Sequence, residues 1–228
     1  MEKPVNLIID CDDTLWENNR FFLEAHKKFV RLMESLGHDT AKADSLLLRL
    51  EMENVPRYGY GAKSQAMSMA DVYRLLEPEP DSSVLDSISA IGDEVFNHPV
   101  SMFPGVEDTL RRLSGRYRML MLTKGNHDEQ MGKITKSPLR VYFDRYKVVE
   151  EKTPESFGDM LAEFGLAAHE TWMIGDSPKS DILPAIANGV RSVYIPFSMT
   201  WAHEHHELPE HPEIIRIDAF DRLSDLLL

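Results

Sequence analysis

The stretch LIIDCDDTLWENN, residues 7–19, runs from an apolar segment into three carboxylates, Asp10, Asp12 and Asp13, with the chain's single cysteine, Cys11, between the first two. In an extended segment residues two apart project to the same side, so Asp10 and Asp12 are expected to point together and Cys11 into packing. Two ionised carboxylates so close push one pKa up unless a cation sits beside them. A third acid, Asp176 in MIGDSPKSDI, also ends an apolar segment, directly after Gly175. Three acids brought together suit a hard, oxygen-preferring cation such as Mg2+. The segment YRMLMLT ends on Thr123, followed by Lys124 and Gly125. A hydroxyl and turn amides there can hold a phosphate oxygen. Beyond YKVVE stands Lys152, a compact positive charge. A carboxylate nucleophile, a second carboxylate, a hydroxyl, an ammonium and a divalent metal fit phosphoryl transfer through an aspartyl-phosphate intermediate.

These groups need a scaffold that gathers strand ends. Short β-rich runs recur at 5–10, 117–123, 146–150, 171–176 and 191–197, most of them nearly continuous apolar. That is the pattern of strands buried on both faces of a parallel sheet, whose C-terminal ends share one edge. Between them lie helical patterns: Val106, Leu110 and Leu113 share one face, as do Phe157, Leu161 and Phe164, with Thr153 as N-cap and Pro154 at the first helical position. The alternation predicts an α/β fold, a doubly wound parallel sheet with a Rossmann-like core. Residues 18–99 break the rhythm. Phe22, His26, Phe29, Leu32, Met33 and Leu36 recur at helical spacing before Gly37, and further helical runs follow at about 40–55, 62–76 and 81–97, separated by the turn-rich PRYGYG and EPEPD. The expected organisation is an α/β catalytic core of residues 1–17 and 100–228 with an inserted all-helical cap domain, 18–99. Pro184 fits if its helix starts near Ser180, which puts it in the first turn.

Composition narrows the partners. The formal net charge of −13 over 228 residues repels polyanions, which argues against a general nucleic-acid or anionic-membrane binder. One cysteine forms no internal disulfide and fits a reducing cytosol. The N-terminal apolar run is too short for a signal peptide, and no stretch approaches a membrane span. The expectation is a soluble, cytoplasmic protein with a small anionic ligand bound through local positive groups or a metal.

The motifs resemble those of the haloacid dehalogenase-like (HAD) superfamily. Its D-x-D-x-T motif matches Asp10, Asp12 and Thr14; its Ser/Thr matches Thr123; its lysine matches Lys152; its G-D-x4-D motif matches Gly175, Asp176 and Asp181; and FPGVEDTLRRL resembles the return segment after a cap. The resemblance implies that Asp10 is nucleophile and metal ligand. Asp12 would protonate the leaving group and then activate water, its backbone carbonyl helping to bind Mg2+. Thr123 and Lys152, with Lys124 beside them, would hold the phosphoryl group, Asp176 would ligate the metal, and Asp181 would support Asp176 or Lys152. Where the family pattern has Gly, this chain has Asp13, expected to face away from the ligand pair.

The implied activity is a Mg2+-dependent phosphatase acting on a small phosphorylated metabolite. A 2-haloacid dehalogenase needs neither metal nor second acid, so Asp12 and Asp176 count against it. A phosphomutase shares the whole inventory. A phosphonatase would need a Schiff-base lysine in the cap, such as Lys27, Lys28, Lys42 or Lys63, and a non-catalytic binding protein would not need the intact acids. Candidate specificity residues are Trp16 where the chain leaves the core, Arg57 and Tyr58 in RYGYGAKS, and Trp201 or His203 after the fifth strand. HEHHE is not the H-E-x-x-H zinc motif, since position 207 is Glu.

Overall fold

A computed structural model of the chain describes residues 3–199 and 206–228. Trp201 and His203 lie outside the described residues. The chain folds into two compact units, Met1–Asn19 with Val100–Leu228, and Arg20–Pro99.

In the first unit, β1 (Asn6–Ile9), β2 (Arg118–Lys124), β3 (Arg145–Val149), β4 (Thr171–Gly175), β5 (Arg191–Tyr194) and β6 (Ile214–Arg216) form one sheet in the order β3-β2-β1-β4-β5-β6. Every neighbouring pair is parallel. Alternate strand residues feed two cores. Leu7, Ile9, Met119, Met121, Trp172 and Ile174 pack with α5 (Val106–Leu113) and α9 (Leu223–Leu227). Ile8, Leu120, Leu122 and Met173 pack on the opposite face with Phe157, Met160 and Leu161 of α7 (Pro154–Phe164). The sheet is therefore doubly wound, and burial on both faces explains why its central strands read as unbroken apolar runs.

Local chemistry sets the helix ends. Thr153 accepts from the Ser156 amide at 3.2 Å, Pro154 opens α7, and Gly165 closes it in the left-handed region at φ 63°. Ser177 caps a π-helical turn at Pro178–Ile182, which continues into α8 (Leu183–Ala187) with Pro184 in its first turn. The helical segment thus begins two residues before the start expected near Ser180, and Pro184 falls at the start of its α-helical part.

Several elements escape the sequence patterns, among them α6 (His127–Lys136), β6 and α9. Helix α6 reads HDEQMGKITK, too polar to declare itself, yet Asn126 caps it by accepting from the Glu129 amide at 3.1 Å. Strand β6 has three residues and no alternation to read.

The second unit contains α2 (Thr40–Tyr58), α3 (Ala62–Leu76) and α4 (Ser82–Phe96), with most of α1 (Asn19–Ser35). Its core is built from Phe29, Met33, Leu47, Met69, Val72, Ile88 and Val95. Asp39 and Asp81 cap α2 and α4 through the amides of Lys42 and Ser83. Helix α2 corrects one expectation. It runs through Pro56 to Tyr58, where PRYGYG predicts a turn, because Pro56 falls in the last turn and the Gly59 amide still reaches the Val55 carbonyl at 2.9 Å. Among the described residues, no helix is long and apolar enough to cross a membrane.

Candidate active site

In the observed strand order the winding of the sheet reverses between β1 and β4, and ligands of doubly wound folds bind in the crevice beyond the C-terminal ends of such a pair. Asp10 follows β1 and Asp176 follows β4. The Asp10 amide donates to the Ile174 carbonyl at 2.9 Å, which ties the two strand ends together. Asp10, Asp176 and Asp181 are all buried, and each can place a carboxylate oxygen within 4.8 Å of the others. Lys152 is 4% exposed and donates to Asp10 and, at 2.7 Å, to Asp181 Oδ1. Asp181 Oδ2 accepts from the Ser177 amide at 3.0 Å. Thr14 Oγ1 donates to Asp176 Oδ1 at 3.2 Å.

Gly175 holds this arrangement open. A Cβ there would lie 2.3 Å from Asp181 Oδ2 and 2.4 Å from its Cγ. We expect Gly175→Ala to displace Asp181 from Lys152 and to lower Tm by about 4 °C or more, the result of roughly 1–3 kcal/mol of overpacking in a chain of this size. Thermal unfolding followed by circular dichroism measures it, and an unchanged Tm would contradict the crowding.

The electrostatics are uneven. Burial, helped by the Asp181 charge, pushes the Asp10 carboxyl up to about 7 despite Lys152. Burial and the neighbouring carboxylates of Asp10 and Asp181 also hold Asp176 well above the usual carboxylate range. Burial alone would lower Lys152, but Asp10 and Asp181 raise it above an ordinary lysine, so it stays an ammonium. With all three carboxylates ionised, the Lys152 ammonium would leave two negative charges uncompensated, which is why the acids are raised in the absence of a cation. A divalent cation balances that excess, and an all-carboxylate donor set suits a hard one.

Asp12 behaves differently. Its side chain is not among the three acids that cluster within 4.8 Å, where Asp181 joins Asp10 and Asp176. The reason is local. Strand β1 stops at Ile9, and the chain turns back so that the amides of Thr14 and Leu15 reach the Cys11 carbonyl at 3.4 and 2.8 Å. Cys11 is buried as expected, and burial pushes its thiol well up. Asp12 instead accepts from Lys133, Gln130 and Trp16. Burial is the largest single influence and raises its carboxyl, but the Lys133 charge together with the hydrogen bonds from Lys133, Gln130 and Trp16 outweighs it, and Asp12 lies below the usual carboxylate value.

Trp16 is a correction. It is fully buried, and its indole N–H donates to Asp12 Oδ1 at 2.7 Å, so it lines the acid and not an entrance. Asp13 sits at φ 62°, the left-handed conformation in which glycine is the default residue and Asp is tolerated. Its carboxylate accepts from the amides of Asn18 and Asn19 at 2.9 and 3.1 Å, at the start of α1. Burial pushes it up to about 7.

Thr123 is buried in β2, two residues past the Met121 that pairs with Ile9. Lys124 donates to Glu151 Oε1 at 3.2 Å and to Ser180 Oγ at 2.9 Å. Arg57 and Tyr58 belong to the helical unit: the guanidinium lies 4.7 Å from the Tyr58 ring centroid, and the Tyr58 hydroxyl donates to Asp71 at 3.2 Å. Trp201 lies outside the described residues. Sequence reasoning missed Lys133 and Gln130. The available signal was their spacing of three in the segment following the Thr123–Gly125 turn.

Reactive side chains gathered where the winding of a parallel α/β sheet reverses make this an enzyme fold with a ligand crevice. The chain belongs to the haloacid dehalogenase-like hydrolases, whose family model matches residues 6–189. It is 24% identical over 196 residues, 83% of this chain and 82% of the relative, to the glyceraldehyde 3-phosphate phosphatase of Methanopyrus kandleri. Among solved structures, a haloacid dehalogenase-like family hydrolase from Xanthomonas campestris superimposes with a TM-score of 0.85 at 28% identity, covering 99% of this chain and 96% of that one. A 2-haloacid dehalogenase from Pseudomonas syringae shares the fold at a TM-score of 0.63 and 19% identity, over 100% of this chain and 98% of that one.

Proposed function

We propose that the protein is a Mg2+-dependent phosphatase that hydrolyses a small phosphorylated metabolite through an aspartyl-phosphate on Asp10. The observation that carries this is the buried trio Asp10, Asp176 and Asp181 with a single ammonium, Lys152, facing two of its members. Asp10 and Asp176, with the Asp12 backbone carbonyl, would hold Mg2+, which when bound supplies positive charge to the phosphoryl oxygens.

The chain's own groups do the rest. An Asp10 oxygen bonds to phosphorus as the bond to the leaving oxygen breaks, and that oxygen takes a proton from Asp12. Lys133 keeps resting Asp12 ionised, so the proton comes from the incoming monoester, whose second pKa is near 6. Asp12, ionised again, then takes a proton from the water that attacks phosphorus and frees Asp10. Lys152 and the Thr123 hydroxyl bind the transferring group, with Lys124 next to them, and Thr14 orients Asp176. Residues 18–99 are the helical cap unit and 1–17 with 100–228 the catalytic core, and Arg57 and Tyr58 contribute to specificity. The Methanopyrus kandleri relative favours a small phosphorylated carbonyl compound as substrate. The single buried cysteine favours the cytoplasm.

Phosphate release from a metabolite panel that includes glyceraldehyde 3-phosphate, with Mg2+ and after EDTA, tests this. Release that stops with EDTA and returns with Mg2+ is expected. Halide release from 2-haloacids in EDTA, without phosphate release, would replace the phosphatase by a dehalogenase.

A further inference from the structure

Helix α6 presents Gln130 and Lys133, three residues apart and thus neighbours on one helix face, to the Asp12 carboxylate. Both are buried, at 5% and 6% exposure. Lys133 Nζ donates to Asp12 Oδ1 at 2.8 Å, to Oδ2 at 2.6 Å and to Asn18 Oδ1 at 2.9 Å. Gln130 Nε2 donates to Asp12 Oδ2 at 2.9 Å and to the Lys124 carbonyl at 3.0 Å. Trp16 Nε1 completes the set on Oδ1. Both carboxylate oxygens are therefore fixed by donors from two sides.

The arrangement is costly on its own account. A buried ammonium needs its charge met, and Asp12 is the carboxylate that meets it. Both contacts of Gln130 Nε2 are to acceptors, which settles the amide orientation, and its buried Oε1 then has no partner among the described residues. The amide is turned to serve Asp12 and the Lys124 carbonyl, with its own oxygen unmatched.

We propose that Lys133 is a positioning residue for the reaction: clamped across both oxygens of Asp12, it fixes the carboxyl against the bond between phosphorus and the leaving oxygen. This role rests on the phosphatase reading. As the Asp10–phosphorus bond forms and the phosphorus–oxygen bond breaks, the leaving oxygen must collect the Asp12 proton, and a misplaced carboxyl delivers it poorly. A leaving group stable as an anion needs no such proton.

The test compares wild type, Lys133→Met and Lys133→Arg on 2,4-dinitrophenyl, p-nitrophenyl and phenyl phosphate at saturating Mg2+. In Lys133→Met, kcat for phenyl phosphate should fall by about 100-fold or more and for the dinitrophenyl ester by less than about tenfold, with KM moving little. Lys133→Arg, which keeps a fork of donors, should recover at least about tenfold of the phenyl phosphate loss. Should Lys133→Met not fold, Lys133→Gln and Lys133→Arg carry the same comparison. Equal losses on all three esters, or no loss, would overturn the positioning role and leave the phosphatase standing. No phosphate from wild type on any ester would overturn the phosphatase reading itself, and the positioning role with it.

Discussion

Asp10→Asn lowers turnover of any phosphorylated substrate by roughly 10⁴-fold or more while the protein stays folded. The amide oxygen is a poor nucleophile, and the change also removes a carboxylate from the buried trio of Asp10, Asp176 and Asp181. The loss should appear in kcat, since binding of the substrate's remaining groups does not pass through Asp10. Thermal stability should change little by comparison. Lys152 loses one partner but keeps Asp181 at 2.7 Å, and one of the crowded negative charges disappears. Phosphate release and circular dichroism on the same preparation separate the two effects. Activity above about 1% of wild type in a folded Asp10→Asn protein would contradict the nucleophile assignment.

Lys152→Met produces the opposite balance, a large loss of stability together with the loss of activity. Lys152 is buried and its ammonium bridges Asp10 and Asp181. Removing it strands two buried carboxylates, and breaking a buried ion pair on one side costs about 3–5 kcal/mol. In a chain of this length that lowers Tm by about 10 °C. The pH dependence has a definite sign. Asp10 already sits at about 7 against 3.8 for the unfolded group, and without Lys152 it rises further. For a carboxyl raised on folding, stability is fully present below the unfolded value and is lost as pH rises through the folded one. The deficit of the metal-free variant against wild type should therefore be smaller at about pH 5, where only the Asp181 pair is lost, than at about pH 8. Unfolding curves at the two pH values measure this; an equal deficit at both would mean that the lysine acts through packing alone.

The parts legible in the sequence are those that sit at strand ends. Asp10 and Asp176 each terminate an unbroken apolar run, and a parallel sheet brings such ends to one edge, so their meeting follows from topology alone. The helix limits at Thr153, Pro154 and Gly165 are likewise readable, because capping is local chemistry. What stays hidden depends on where the chain departs from regular geometry. Alternation says nothing of what meets Asp12 beyond the strand end, where, past the turn at Cys11–Leu15, its carboxylate is held by Lys133. Trp16 reads as an entrance residue because it stands at the edge of the core in sequence; its burial depends on packing from Met102 and the strands. Lys133 is easily passed over because α6 carries only Met131 and Ile134 as apolar markers, too few to reveal a helix, and a lysine in such a segment reads as a surface residue. Gly175 can be placed before the acid by motif, but its need to be glycine is a matter of the 2.3 Å to Asp181, which no spacing reveals.

Everything in the proposed mechanism turns on the bond between Asp10 and phosphorus. Rapid quenching of wild type during turnover, followed by borohydride reduction and mass spectrometry of the peptide containing residues 4–20, tests it directly. An acyl phosphate is reduced at the carboxyl carbon, so homoserine is expected at position 10, dependent on substrate and absent from Asp10→Asn. Turnover with residue 10 unmodified, or with the reduced residue found at Asp12 or Asp176, would contradict it.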